Sequence, residues 1–162
     1  MLSLQIIKSM EKLIMLHESL LVISEQKTVA IKEGNMEKLQ PLLVKERKHV
    51  QALEQMETSR QKEVKAWFEV NNLQGKNETI TTMLEMIDDK EQQKVLEDVT
   101  IHLTHSVTNL KRQEQLNQAL IQQSLQFVEL SLDMMNPSIT NLNYGNTKET
   151  ESIKRSVFDS KA

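Results

Sequence analysis

Apolar positions along the chain recur at alternating spacings of three and four, and this period predicts long amphipathic helices. From Ser3 to Glu33 the inward positions are Leu2, Ile6, Leu13, Leu16, Leu20, Ile23 and Ala30. Ile7, Ile14 and Leu21 widen that seam, and Lys27 interrupts it near its end. Gly34 suits a left-handed helix C-cap and Asn35 an N-cap, so Gly34-Asn35 predicts the bend of an antiparallel helical hairpin. The second helix is predicted from about Met36 to Glu69, with Leu39, Leu42, Leu43, Val50, Leu53, Met56, Val64 and Trp67 facing inward. Pro41, shortly after the cap, predicts a kink or a restarted helix. Glu46 and Arg60 also fall on the inward side, where each needs a polar partner or an escape to the rim. Snorkelling at the bundle edge is the simpler expectation.

Residues 71–77 read as a connection, followed by a short helix through Ile80, Met83, Leu84 and Ile87, capped by Asn77 or Thr79. Asp88-Asp89 either separates this helix from the next or is absorbed into one rod. From Glu91 to Met135 neither Gly nor Pro occurs. Asp88 with Glu91 resembles a capping box, and Asn136-Pro137 predicts the stop. One unbroken helix of that length spans roughly 65 Å. Its seam carries Leu96, Val99, Leu103, Leu110, Leu120, Phe127 and Met134, interleaved with Ser106, Gln113, Asn117, Ser124 and Ser131. Those polar residues weaken a tight permanent core; they set register or leave room for another helix. Toward the C-terminus, Leu116, Ala119, Leu120, Ile121, Leu125, Phe127, Val128, Leu130, Leu132 and Met135 spread round more than one face, more than a single partner face can bury.

Composition agrees with an all-α chain: aromatics are 3% of 162 residues, and there are three Gly and two Pro. The expected architecture is an elongated antiparallel hairpin plus a long third helix, a three-helix coiled-coil-like bundle over 1–135. A flexible tail is expected over 136–162, where Ser, Thr, Asn and Gly dominate. The net charge of −3 is spread without blocks, leaving no electrostatic footprint for nucleic acid or anionic lipid. The absence of cysteine excludes disulfides and thiolate metal sites, and no apolar run reads as a signal peptide or membrane span. A cytoplasmic protein is expected.

Candidate chemistry is sparse. His102 and His105, one turn apart with Asp98 a turn before, are the best metal candidates, yet no further ligand motif supports them. A solvated or interhelical histidine pair is the favoured reading, and His17 and His49 are read as structural residues facing each other across the hairpin. Nucleophile elbows, phosphate loops and dinucleotide fingerprints are lacking, so neither an enzyme nor a cofactor is expected. Trp67-Phe68 reads as a cap on the core rather than a binding hot spot. Tyr144, the single tyrosine, lies in the predicted tail as either an incidental or a docking residue.

With these residues in view, the chain resembles the FlgN family of flagellar export chaperones along essentially its whole length. The resemblance is carried by the hairpin turning at Gly34-Asn35, and by the second helix with Glu46 and Arg60. It continues through Leu116-Asn117-Gln118-Ala119-Leu120 leading into Leu125-Gln126-Phe127, and ends at Asn143-Tyr144-Gly145. Pro41 inside the second helix, and the lack of a second glycine over 146–148, depart from the pattern. The resemblance implies binding of the C-terminal helices of the hook-filament junction proteins FlgK and FlgL, and delivery to the cytoplasmic domain of the export-gate protein FlhA. By position it implies a substrate face at Leu116, Leu120, Ile121, Leu125, Phe127, Val128 and Leu132, and gate docking by Tyr144 and Gly145. A weak homodimer is compatible with it. The alternative is a structural, self-associating coiled-coil protein that uses the same apolar face as its own seam.

Overall fold

The computed structural model describes the backbone of residues 2–142 and the side chains of residues 2–135. It contains helices α1 (Leu2–Glu33), α2 (Met36–Val70), α3 (Ile80–Met86) and α4 (Lys90–Leu142), with no strand among the described residues. The all-α class read from the periodicity is the observed one. The chain divides into two units, Met1–Ile121 and Gln122–Ala162.

In the first unit the hairpin turns where the sequence places it. Gly34 adopts φ +63°, and the backbone N–H groups of Gly34 and Asn35 donate to the carbonyls of Ile31 and Ala30, closing α1. The Asn35 side chain then accepts from the Lys38 N–H at 3.1 Å, opening α2. α1 is the spine, because it buries residues on two faces. Toward α2, Ser9 donates to Glu63 and Lys27 to Glu46, the crossing order of an antiparallel pair. Toward α4, Ser3 bonds Gln92 and Thr28 bonds Asn117, both pairs 89 positions apart, so α4 runs parallel to α1.

The apolar cluster gathers at one end of this unit: Ile6, Ile7 and Met10 of α1, Val64, Trp67 and Phe68 of α2, Met83 of α3 and Leu96 of α4. The Trp67 and Phe68 rings meet edge-to-face, with centroids 5.1 Å apart, so the pair caps the core as expected. At about 1.5–3 kcal/mol for each large side chain removed from water, this cluster is the main apolar anchor of the bundle.

Several expectations are corrected. α2 is one helix through Pro41, without a restart. The proline removes the N–H that would bond the Glu37 carbonyl, but this turn is exposed and water can serve that carbonyl. Leu43 and Val50 do not face inward; they are 45% and 39% exposed, because α1 covers a narrower stripe of α2 than the apolar pattern occupies. Thr79, not Asn77, caps α3, and Asp88-Asp89 does break the chain into two helices. The cap of α4 is Asp89 rather than Asp88: its carboxylate accepts from the N–H groups of Glu91 at 2.9 Å and Gln92 at 3.3 Å. Finally, α4 does not stop at Met135 but continues past Asn136-Pro137 to Leu142. Pro137 removes the donor to the carbonyl of Asp133, an exposed residue where water can substitute. Tyr144 and Gly145 lie outside the described residues, as does most of the expected tail.

Candidate functional site

α4 is the element on which the candidate residues lie, and its seam changes chemistry along its length. Within the first unit, Leu96 is fully buried, Val99, Leu103 and Leu110 are half-buried, and Ser106 and Asn117 are buried. Ser106 and Asn117, expected to loosen this seam, are thus inside it, and Gln113 and Asn117 bond into a layer spanning three helices. The Asn117 amide donates to the Ser24 carbonyl at 2.9 Å and to the Ser24 hydroxyl at 3.0 Å, and its oxygen faces the Thr28 hydroxyl. Gln113 donates to Thr28, and Ser24 donates to Glu114 at 2.7 Å. Lys27 completes the layer, 2.7 Å from Glu46 of α2 and 3.1 Å from Glu114 of α4.

Lys27, only 6% exposed, therefore does not merely interrupt the α1 seam. Burial opposes its charge, but the hydrogen bonds and charges of Glu46 and Glu114 outweigh burial and raise the ammonium above the ordinary lysine range. Glu46 has found its polar partner here. Arg60 has found its own in Glu57, through bonds of 2.6 and 2.8 Å, and this arginine holds the Glu57 carboxyl below its usual range against the opposing effect of burial. Neither residue is left to snorkel alone. The clue available in sequence was complementarity: a lysine on one helix seam and a glutamate on the seam of the adjacent helix.

Of the residues expected to bind substrate, Leu116 and Ile121 are exposed in the first unit and Leu120 is half-buried. In the second unit Leu125, Phe127, Val128 and Leu132 are all exposed on α4, joined by Leu130, Met134 and Met135. Phe127 and Met134, which continue the 3-4 spacing of the seam, are 71% and 74% exposed. An aromatic and a flexible thioether at core-type positions, both open to solvent, form a surface suited to another amphipathic helix.

The histidines occupy other roles. His17 and His49 each bond the carbonyl one turn back in their own helix, those of Leu13 and Lys45. His102 lies 3.2 Å from Glu18 of α1, and among the described residues no group of three or more His, Cys, Asp or Glu is placed to hold a metal ion. No described helix is long and apolar enough to cross a membrane.

Comparison with known proteins points one way. A family model described as FlgN protein matches residues 1–152. A protein of Bacillus subtilis (strain 168), named as uncharacterized protein YvyG, is 35% identical over 160 residues, covering 97% of each chain. No solved structure matches. With a family match and a relative that both extend over nearly the whole sequence, the chain belongs to the FlgN family of flagellar export chaperones.

Proposed function

We propose that this chain is the cytoplasmic chaperone of the hook-filament junction proteins FlgK and FlgL, holding their C-terminal helices against α4 until delivery to the cytoplasmic domain of FlhA. The observation that supports this most is the exposure of Phe127 and Met134 at seam positions of α4. An amphipathic substrate helix laid along Leu116, Leu120, Ile121, Leu125, Phe127, Val128 and Leu132 would cover apolar surface on both partners and block premature assembly. Each well-buried Leu or Phe contributes about 1.5–3 kcal/mol, much of it offset by ordering the substrate, which keeps release feasible at the gate. Tyr144 and Gly145 are the proposed gate contact.

Calorimetry with a peptide of the FlgK C-terminal helix tests the reading. Replacing Leu120, Leu125 and Phe127 by Ser should abolish binding while helicity by circular dichroism persists; unchanged affinity would reject the assignment. A tight self-association through the same face, lost in the same variant and unaffected by the peptide, would favour the self-associating coiled coil instead.

A further inference from the structure

α4 is fastened in the first unit at two places of opposite chemistry. Near its start, Leu96 is fully buried in the apolar cluster with Met10, Phe68 and Met83. Farther along, the buried residues of α4 are Ser106 and Asn117, and no apolar side chain of α4 beyond Leu96 is buried among the described residues. The second fastening is the layer of Ser24, Lys27, Thr28, Glu46, Gln113, Glu114 and Asn117, and among the described residues no buried side-chain donor or acceptor lacks a partner.

These two attachments respond differently to opening. Parting an apolar cluster exposes hydrocarbon that water does not compensate. Parting a satisfied polar layer hands its donors and acceptors to water, which recovers most of the interaction. The layer also opens as a whole. Asn117 donates to Ser24, Ser24 donates to Glu114, and Glu114 shares Lys27 with Glu46, so breaking one link leaves the next group unsatisfied in a low-dielectric site.

We propose that this layer is a reversible clasp: α4 from Ser106 to Ile121 leaves α1 as one cooperative unit while the core around Leu96, with Val99 and Leu103 packed against it, stays formed. The use of that opening rests on the chaperone reading, since release bares Leu110 and Leu120 and extends the docking face toward the N-terminus of α4, whereas closure ends it near Leu116. The clasp itself needs no partner to be observed.

Hydrogen exchange by mass spectrometry on the isolated full chain tests it. Amides of residues 106–121 are expected to exchange at least ~10-fold faster than those of residues 6–14 and those around Leu96. The variant Ser24→Ala/Thr28→Val/Asn117→Leu, which makes the centre of the layer apolar, is expected to slow residues 106–121 about 10-fold and leave the Leu96 region unchanged. Exchange of 106–121 at the core rate in the native chain would overturn the proposal, as would an unchanged rate in a variant that keeps its helicity. Should the triple variant lose helicity, the native profile decides by itself. Uniform protection together with normal peptide binding would reject the clasp and leave the chaperone reading standing; the reverse pair of results would do the opposite.

Discussion

The ammonium of Lys27 lies 2.7 Å from the carboxylate of Glu46, joining two residues 19 positions apart across the hairpin, and the same ammonium reaches Glu114, 87 positions away. One buried cation thus ties α1 to both of its neighbours. Lys27→Met leaves two carboxylates facing each other without it. Their side chains are 24% and 40% exposed, so solvent screening holds the loss to about 1–3 kcal/mol, below that of a fully buried pair. Because the folded pKa is raised, the contribution is complete below the ordinary lysine value of 10.5 and fades as pH rises through the folded value. Urea melts of the native chain and Lys27→Met should therefore differ by a constant amount from neutral pH up to the ordinary value of 10.5 and converge as pH rises through the folded value. A gap that persists at higher pH, or that opens only toward acid, contradicts this assignment.

The apolar anchor gives a sharper contrast. Phe68 is fully buried among Trp67, Met83 and Leu96, while Val29 is about half exposed on the outer side of α1. Phe68→Ala should cost about 3–5 kcal/mol in denaturant melts, and Val29→Ala no more than about 0.5. Comparable losses at the two positions would mean that the cluster is not the anchor.

Much of this architecture is legible in residue spacing, and what escapes it has a physical reason. The α4 seam through Leu96, Leu103, Ser106, Gln113 and Asn117 follows from the 3-4 alternation alone, and Gly34-Asn35 marks the turn through the backbone freedom of one residue and the capping oxygen of the other. The partners of Asn117 and Lys27 are not legible, because they depend on which residues of other helices arrive at the same level. Leu43 and Val50 look inward because apolar periodicity records what a helix is able to bury, not what its neighbours reach. Asp88 and Asp89 are equally good caps on paper, and only the backbone geometry selects the second. For the candidate site, surplus apolar residues after Leu116 are visible in sequence; their actual exposure needed the fold.

Pro41 sits inside α2 on an exposed turn and withholds one helix hydrogen bond from Glu37. Restoring an N–H there with Pro41→Ala should stabilise the chain by about 1–3 kcal/mol, read as a raised thermal midpoint. A lowered midpoint would show that the proline meets a geometric requirement of the hairpin.

Holding a substrate helix requires above all that α4 present an exposed apolar face. The most direct test is a hydrogen-exchange footprint of the full chain with and without a saturating peptide of the FlgK C-terminal helix. New protection is expected in residues 116–135, with unchanged exchange across α2 and α3. Protection confined to residues 36–86, or none at a concentration where calorimetry shows binding, would contradict that use of α4.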